Sequence, residues 1–229
     1  MAGLFITGTD TGVGKTRVTL ALMRLLQARG LSVIGMKPIA TGCDWVNSEL
    51  RNDDALQLLI QSSVRLGYAE INPYAFEPAI SPHIAARLVG QKIDLQNILD
   101  HYRRLQNQAN CVLVEGVGGW LVPLHEREQL CDLARTLGLP VLLVVGMRLG
   151  CLNHAQLTGQ ALDRSGVVVA GWIANQCEAG FEYLGENIST LQHSLSMPYL
   201  GLWPYSESDA NIAASNSLDT DEILRRVGV

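Results

Sequence analysis

The feature that most constrains the fold of this chain is the segment "GTDTGVGKT", residues 8 to 16. It is close to the phosphate-binding loop pattern G-x-x-x-x-G-K-[ST], but five residues instead of four separate Gly8 from Gly14. A short apolar run, "GLFIT" at 3–7, precedes the segment, and an amphipathic helical pattern at 15–29 follows it. This order of strand, loop and helix indicates a phosphate loop, because the loop amides and the positive end of the helix then face an incoming anion.

Three residues of the loop have the chemistry of a nucleotide site. Gly14 lets the backbone approach a phosphate closely, Lys15 offers an ammonium group to the outer phosphates, and Thr16 offers a hydroxyl to Mg²⁺. The extra residue alters the half of the loop that leaves the strand, and not the half that faces the phosphates. The alternative is a glycine-rich turn capped by Thr11, but the intact G-K-T favours nucleotide binding.

The rest of the chain alternates between short apolar runs and helical patterns. This alternation implies right-handed crossovers, and therefore a parallel sheet with helices on both faces. No repeat or linker interrupts it, so we expect a single α/β domain of the P-loop NTPase type over residues 1–229. The expected strands lie at 3–7, 32–36, 111–115, 141–146, 167–174 and 199–203. The expected helices lie at 15–29, 53–62, 82–89, 94–109, 128–137, 153–164 and 182–195.

The composition and the apolar runs limit which partners the protein is expected to bind and in which compartment it is expected to lie. A net charge of −5 argues against a nucleic-acid backbone as the main partner. The longest apolar runs, "PVLLVVGM" and "VVVAGWIA", are far shorter than the ~20 residues that span a bilayer, and the apolar N-terminus lacks the positive charge of a signal peptide. The five cysteines include no C-x-x-C pair, which fits a reducing compartment. We therefore expect a cytoplasmic protein that binds neither nucleic acid nor membrane.

The most informative polar residues are those that follow a strand, because ligands of a parallel sheet bind beyond the carboxyl ends of its strands. Lys37 follows the second strand in "MKPIATG", and the same loop carries the hydroxyl of Thr41. A second ammonium group beside Lys15 suits a reaction in which negative charge builds on a transferred phosphoryl group and its acceptor. The alternative is a surface lysine at a strand end. The least regular stretches, 38–52 and 66–81, are expected to be functional loops.

Carboxylates for Mg²⁺ are available in two other places. Glu115 ends the strand of "CVLVEGVGG", where it could hold the ion opposite the phosphate loop, although a lone glutamate there is usually a solvated charge. Asp53 and Asp54 begin a helix in "LRNDDALQLL". Capping by Asn52 or Asp53 accounts for one of these positions, and the other carboxylate is free to be a second Mg²⁺ ligand.

A third group of candidates lies in "RLGCLNHA", residues 148–155, which follows the strand at 141–146. We expect a helix to begin near Asn153, at the edge of the sheet where ligands bind. The free N–H groups and positive dipole of that helix start suit a carboxylate. The alternative is that Asn153 only caps the helix.

Together, these residues resemble the dethiobiotin synthetase family. The phosphate loop of that family has the pattern G-T-D-T-x-V-G-K-T, so the longer gap at 8–16 is a family variant and not a damaged match. Other matching segments follow in the expected order as far as about residue 206, and only 176–181 and 207–214 match loosely. These segments are "KPIATG" (37–42), "RNDDA" (51–55), "NPY" (72–74), "SPHIAA" (81–86), "VEGVGGWLVP" (114–123), "LGCLNHA" (149–155) and "GWIAN" (171–175).

The resemblance implies an ATP- and Mg²⁺-dependent cyclo-ligase. Its substrate, 7,8-diaminononanoate, would take up CO₂ on one amine to form a carbamate, which ATP would convert to a carbamic-phosphoric anhydride. Attack by the second amine would close the cyclic urea of dethiobiotin and release phosphate and ADP. Two lysines and Mg²⁺ suit this chemistry, because the attack of a carbamate on ATP concentrates negative charge.

The resemblance also implies roles for individual residues. Thr16, Asp54 and Glu115 would hold Mg²⁺. Lys37 and Lys15 would be the catalytic cations, and Thr41 would contact the substrate. The implied nucleotide contacts are Gly12, Val13, Gly14, Lys15, Thr16 and Arg17 for the phosphates, Gly116, Val117 and Gly118 beside Glu115, and Asn175, Gln176, Pro204, Tyr205 and Ser206 around the adenine.

The family is further expected to form a homodimer whose substrate site is shared between chains. The substrate carboxylate would be held by the partner's segment that begins after the strand at 141–146. The implied contacts of the carboxylate are Leu149, Gly150, Cys151 and Asn153.

Two other functions share parts of this pattern. A ParA/MinD-type ATPase switch has the same fold, but it would carry a lysine near the start of its phosphate loop, where this chain has Thr9, Asp10 and Thr11. It would also usually present a basic or amphipathic surface to DNA or a membrane. A small-molecule P-loop kinase would leave a stable phosphoester on its acceptor instead of a cyclic urea.

Overall fold

Six of the apolar runs form one sheet in the computed structural model, which describes residues 2–206 and 217–228. The segment 207–214, which departs from the family pattern, lies outside these residues. Along the chain, the described elements are β1 (Ala2–Gly8), α1 (Lys15–Ala28), β2 (Val33–Met36), β3 (Ile39–Thr41), β4 (Asp44–Val46), β5 (Glu49–Arg51), α2 (Asp53–Gln61), α3 (Tyr68–Ile71), β6 (Tyr74–Phe76), α4 (Pro82–Leu88), α5 (Leu95–Gln106), β7 (Cys111–Glu115), α6 (Leu130–Leu137), β8 (Val141–Met147), α7 (Cys151–Ser165), β9 (Val169–Gln176), α8 (Leu184–Ser194), β10 (Tyr199–Trp203) and α9 (Thr220–Val227).

The strands of the main sheet are all parallel and lie in the order β10-β9-β8-β1-β7-β2. The central strand β1 pairs Ile6 with Glu115 of β7 and Gly8 with Val144 of β8. Every residue of β1 and β8 is buried, because helices cover both faces, and this explains why their sequences are continuously apolar. The predicted parallel sheet is confirmed.

Helices cover both faces of this sheet. On one face, Leu22 of α1 and Ile223 of α9 join the inward side chain of Leu4 in one apolar cluster. On the other face, Ile98 of α5 joins Phe5, which points the opposite way from its neighbour in the strand. The predicted two-sided arrangement is therefore confirmed. None of the helices within 2–206 and 217–228 is long and apolar enough to cross a membrane.

The irregular stretches 38–52 and 66–81 contain short elements that the sequence pattern did not reveal. Strand β3 pairs in parallel with β6, and β4 pairs with β5 in an antiparallel hairpin. Each of these strands has 3 residues, which is too few for a periodic pattern to emerge. Helix α9 was also not among the predicted helices.

The parallel sheet brings the predicted site residues to one edge, because all carboxyl ends of its strands face the same way. The phosphate loop follows β1, Lys37 follows β2, and Glu115 ends β7. Asn175 lies next to last in β9, and Pro204 follows β10. The strand order thus gathers residues from distant parts of the chain beside the phosphate loop.

Candidate active site

The phosphate loop closes on the first residue of α1. Gly14 is the N-cap residue and has a φ of 83°, a left-handed conformation that favours glycine. No side-chain cap is present at this helix start, so the predicted alternative of a cap by Thr11 is wrong, and phosphate binding by the loop stays a prediction. A Cβ on Gly14 would lie only 2.1 Å from Nδ2 of Asn175. Glycine is therefore required both by the backbone angle and by the packing beneath the loop.

Lys15 crosses the mouth of this loop. Its Nζ donates hydrogen bonds to the carbonyl oxygens of Asp10, at 2.9 Å, and Gly118, at 2.7 Å. Burial, together with the nearby charge of Lys37, lowers the pKa of Lys15 to about 8, against smaller opposite effects of the carboxylates. The ammonium group is thus short of negative partners and is suited to receive phosphate oxygens.

Lys37 is buried and paired with two carboxylates. Its Nζ lies 2.5 Å from Oε1 of Glu115 and 3.1 Å from Oδ2 of Asp54. Burial by itself lowers the pKa of Lys37, but the two carboxylates outweigh it and hold the pKa above its ordinary value. The alternative of a surface lysine is wrong, because the residue is only 5% exposed.

Thr16, Asp54 and Glu115, the predicted Mg²⁺ ligands, lie around one point. The hydroxyl of Thr16 donates to Oε1 of Glu115 at 2.9 Å. Asp54 is free for the site because Asn52 caps α2, its side chain accepting from the N–H of Ala55 at 3.2 Å. Burial raises the pKa of Asp54, but the charge and hydrogen bond of Lys37 and a hydrogen bond from Thr16 lower it more, so the carboxylate stays ionised.

The donor atoms of this cluster fit a magnesium ion. Glu115 is completely buried, so the alternative of a solvated charge is wrong, and its Oε2 has no hydrogen-bond partner in the described part of the chain. An unpartnered buried carboxylate oxygen is costly unless a cation satisfies it. Among residues 2–206 and 217–228 no three His, Cys, Asp or Glu side chains form a metal cluster. Two carboxylates and a hydroxyl suit Mg²⁺, which keeps waters and takes phosphate oxygens.

A cavity of about 610 Å³ opens at this edge of the sheet, between the phosphate loop and the loops after β2 and β6. The predicted residues that line it are Gly12, Gly14, Lys15, Thr16, Arg17, Lys37, Thr41, Asp54, Glu115, Val117 and Gly118. Several other residues line the cavity for which the sequence pattern predicts no ligand, among them the first two residues of the motif "SPHIAA". These are Thr11, Ala40, Asn52, Ala79, Ile80, Ser81, Pro82 and Val122.

Two predicted phosphate-site residues contribute only through the backbone or packing. Val13 is buried, and its side chain fills the space that a Cβ on Gly146 would need. Gly116 lies against Leu130 and the carbonyl oxygen of Ile6, and no side chain would fit there. Gly116 and Gly146 therefore allow close packing behind the loop.

The predicted adenine residues lie together at the ends of β9 and β10. Asn175 is 1% exposed and donates to the carbonyl oxygen of Val13 at 2.8 Å. Its Oδ1 has no hydrogen-bond partner among the residues that the structure describes. Gln176 accepts from the N–H of Tyr205 at 3.3 Å, and Arg17 donates to the carbonyl oxygen of Ser206 at 3.2 Å. The contacts of these residues with adenine stay a prediction.

The segment Leu149 to Asn153 does not line the cavity of its own chain as far as the structure is described. Helix α7 begins at Cys151, earlier than expected, and Gly150 with a φ of 93° is its N-cap residue. The alternative that Asn153 caps this helix is therefore wrong. Asn153 is exposed in the first turn, and Leu149 is 96% exposed.

Comparison with known proteins finds relatives that share one name and match almost the whole chain. The family model described as an AAA domain matches residues 2–212. The ATP-dependent dethiobiotin synthetase BioD of Pseudomonas aeruginosa (strain UCBPP-PA14) is 46% identical, and the match covers 100% of this chain and 99% of that protein. The protein of the same name from Nitrosospira multiformis is 45% identical, over 99% of this chain and 97% of that protein.

Solved structures with a similar fold include two MinD proteins. MinD from Pyrococcus horikoshii, complexed with Mg-ADP, has a TM-score of 0.59 and 17% identity, covering 99% of this chain and 97% of that chain. The MinD cell division protein of Aquifex aeolicus has a TM-score of 0.60 and 16% identity, covering 100% and 98%. At this level of identity the likeness establishes the fold alone. The predicted P-loop NTPase fold is confirmed.

Proposed function

The chain belongs to the family of ATP-dependent dethiobiotin synthetases, and on this premise we propose the reaction that it catalyses. It is an ATP-dependent ligase of biotin biosynthesis. We propose that it converts 7,8-diaminononanoate, CO₂ and ATP to dethiobiotin, ADP and phosphate, with Mg²⁺ as cofactor. The proposal includes a carbamate and a carbamic-phosphoric anhydride as intermediates.

The observation that carries this proposal is the convergence of two buried lysines on one cavity. Lys15 and Lys37 both line it, and the charge of Lys37 adds to the effect of burial in lowering the pKa of Lys15. Two fixed ammonium groups are more than nucleotide binding requires. They suit a phosphoryl transfer in which both the donor and the acceptor are anions.

The first steps prepare the phosphoryl transfer. One amine of the substrate adds to CO₂ and loses a proton, which gives a carbamate anion. A carbamate oxygen then bonds to the γ-phosphorus of ATP while the bond to ADP breaks. Lys15 contacts phosphate oxygens from the start, and Lys37 stabilises the charge that builds between carbamate and phosphate. Thr16, Asp54 and Glu115 would hold Mg²⁺, which would supply positive charge to neutralise the phosphates.

The last step closes the ring. The second amine attacks the carbonyl carbon of the anhydride and loses a proton, and phosphate leaves with the bonding electrons of the C–O bond. Thr41 lines the cavity and carries a hydroxyl that can contact the reacting group. The cavity of about 610 Å³ is of a size that supports a phosphate group and a small acyclic substrate together.

The adenine end of the nucleotide is proposed to lie beyond β9 and β10. The unpartnered Oδ1 of Asn175 can accept a hydrogen bond from an exocyclic amine. Gln176 and the backbone from Pro204 to Ser206 would border the base. The bond from Gln176 to the N–H of Tyr205 supports a common surface of these two segments.

We further propose that the site is completed by a second copy of this chain. The extended substrate places its carboxylate about 10 Å from its amines, farther than the residues around Lys37 reach. The start of α7, with Leu149, Gly150, Cys151 and Asn153, would present the positive end of its helix dipole to that carboxylate, and Leu149 and Asn153 are exposed there. These residues do not line their own chain's cavity in the described structure, which supports a role in the partner's site.

The direct test is product analysis. The protein is incubated with 7,8-diaminononanoate, bicarbonate, Mg²⁺ and ATP, and the products are separated and identified by mass spectrometry. Dethiobiotin that requires both ATP and bicarbonate would support the proposal. A phosphorylated diamine would indicate a kinase, and ATP hydrolysis that ignores the diamine would indicate a MinD-type switch. Either of these two results would overturn the proposed reaction.

A further inference from the structure

A buried chain of hydrogen bonds links the backbone of Lys37 to the start of α2. Its members are Asn72, Tyr68 and the backbone N–H of Asn52. The motif "NPY" that begins with Asn72 has no role in the reaction proposed above. The chain of bonds lies behind the cavity wall, and neither Asn72 nor Tyr68 lines the cavity among the described residues.

Asn72 holds the carbonyl group of Lys37. The residue is 3% exposed, and its Nδ2 donates to the carbonyl oxygen of Lys37 at 2.5 Å and more weakly to that of Tyr74 at 3.5 Å. Two carbonyl oxygens face the same end of the amide, so the nitrogen must lie there and Oδ1 at the other end. The N–H of Lys37 also donates, to the carbonyl oxygen of Ile71 at 3.0 Å. The backbone of Lys37 is thus fixed on both sides.

Tyr68 connects Asn72 to the helix that carries Asp54. Its hydroxyl donates to Oδ1 of Asn72 at 2.8 Å and accepts from the N–H of Asn52 at 2.8 Å. Asn52 is the N-cap residue of α2, and Asp54 lies in the first turn of that helix. The guanidinium of Arg51 covers the tyrosine ring at 4.1 Å from its centroid. Burial raises the pKa of Tyr68, so the hydroxyl keeps its proton for Asn72 at neutral pH.

We propose that Tyr68 and Asn72 are positioning residues that set Lys37 against Asp54. The inference rests on the proposed role of Lys37. The two side chains meet at 3.1 Å although Lys37 lies in the loop after β2 and Asp54 in the first turn of α2, and loops are more mobile than the strands and helices that they connect. The chain of three hydrogen bonds ties the Lys37 loop to the start of α2 through their backbones. The separation of the ammonium and carboxylate groups is therefore set by buried residues that touch neither nucleotide nor substrate.

This chain of hydrogen bonds is expected to affect the rate of phosphoryl transfer, because that rate is sensitive to the position of charged groups. A displacement of about 1 Å at a charged group can cost on the order of a hundredfold in rate. A variant that loosens the Lys37 loop is expected to lower kcat while the phosphate loop, and hence ATP binding, stays intact. Substitution of a residue that only stabilises the fold would lower the unfolding temperature and leave kcat of the folded protein unchanged.

Tyr68→Phe is the primary variant, because it removes one hydroxyl and keeps the ring against Arg51. Its matched control is Tyr102→Phe in α5. Tyr102 is also buried, and its hydroxyl accepts a hydrogen bond from Gln106 at 2.7 Å. That hydroxyl lies beside Gly3, at the edge of the sheet opposite the site. We expect Tyr68→Phe to lower kcat of dethiobiotin formation about tenfold or more, with KM for ATP within roughly threefold, and Tyr102→Phe to change kcat less than about twofold.

A double-mutant cycle with Lys37→Gln tests whether the effect passes through Lys37. On that background Tyr68→Phe should change kcat by less than about twofold, because its target is already missing. An undiminished further loss would overturn the inference, and so would a Tyr68→Phe enzyme as active as Tyr102→Phe. Wild-type protein that forms no dethiobiotin would instead overturn the proposed function.

Two further measurements test the inference independently. The first does not depend on the reaction, and the second does not depend on Tyr68→Phe. In a crystal structure of Tyr68→Phe, the distance from Lys37 Nζ to Asp54 Oδ2 should lengthen from 3.1 Å, and an unchanged distance would contradict the role. Asn72→Ala breaks the chain at its other link and is assayed well below its unfolding temperature. Its kcat should fall at least as far as that of Tyr68→Phe, and a folded variant with wild-type kcat would reject the proposal.

Discussion

Lys37 and Glu115 form an ion pair inside the protein, with 2.5 Å between Nζ and Oε1 and neither side chain more than 6% exposed. An ammonium group in this place neutralises the carboxylate of Glu115, which would otherwise be buried without a counter-charge. It also stands at the edge of the cavity where phosphoryl transfer is proposed. The pair therefore connects the stability of the site with its chemistry.

Lys37→Gln should lower kcat by roughly a hundredfold or more while the Kd for ATP changes little. The reason is that Lys37 is proposed to act on charge that develops during transfer. The measurements are steady-state kinetics and equilibrium nucleotide binding. Lys15→Gln is the comparison, since Lys15 spans the phosphate loop and its loss should damage both binding and turnover. Near-normal kcat in Lys37→Gln would remove Lys37 from the mechanism.

ATP binding at pH 8 should be accompanied by proton uptake at Lys15. The pKa of Lys15 is lowered to about 8, so the free enzyme carries this proton in about half of its molecules at that pH. Phosphate oxygens favour the ammonium form and raise the pKa, so binding should take up about half a proton. Calorimetry in buffers of different ionisation enthalpy measures this number. At pH 6.5 the lysine is already protonated, and uptake by this group should be close to zero. Equal uptake at both values of pH would contradict the assignment.

Asp54→Asn should raise the Mg²⁺ concentration that gives half-maximal activity by roughly tenfold or more, because a charged ligand of the ion is lost. Asp53→Asn is the matched control, since this neighbouring carboxylate is exposed and lies outside the cavity lining. Its Mg²⁺ requirement should equal that of the wild type. A chelator should abolish wild-type activity, and Mg²⁺ or Mn²⁺ should restore it. Full activity in excess chelator would reject Thr16, Asp54 and Glu115 as metal ligands together.

Asn175→Ala should weaken binding of inorganic tripolyphosphate as well as of ATP, each by about tenfold. Its amide holds the carbonyl oxygen of Val13 beneath the phosphate loop, so its loss should disturb the loop even when no base is bound. Gln176→Ala is the comparison, because Gln176 bonds to Tyr205 and to the carbonyl of Glu178 and not to the loop. That variant should weaken ATP binding only. Unchanged tripolyphosphate binding by Asn175→Ala would limit Asn175 to the base.

Mixing two inactive variants should restore activity if the substrate site is shared between chains. Lys37→Gln damages the transfer site, and Asn153→Ala damages the proposed carboxylate site on the partner. Random exchange makes half of the dimers mixed, and each mixed dimer has one intact site, so activity should recover to about a quarter of wild type. Subunit exchange is verified independently with tagged chains. No recovery after proven exchange would place Asn153 in its own chain's site or outside any site.

Local sequence patterns were sufficient to predict the scaffold. Continuous apolar runs mark strands that are buried on both faces, and the residue after each such strand lies at the ligand edge whatever the strand order is. For this reason Lys37 and Glu115 could be selected from the sequence pattern, whereas Asn175 was implied only by the family resemblance. The intact G-K-T of the phosphate loop identified Lys15 and Thr16 in the same way. The short strands β3 to β6 escaped prediction because 3 residues hold no period.

Which residues meet was decided by tertiary structure alone. Lys37 and Glu115 come within 2.5 Å only because β2 and β7 are neighbours in the sheet, and strand order is not encoded in the periodicity of either strand. The bonds of Asn72 to Lys37, and of Asn175 to Val13, likewise join residues whose local sequence gives no sign of their partner. Burial and charge pairing depend on all the elements around a side chain. The sequence by itself therefore determined the chemistry available at the edge of the sheet, and packing determined how those groups are paired, charged and held.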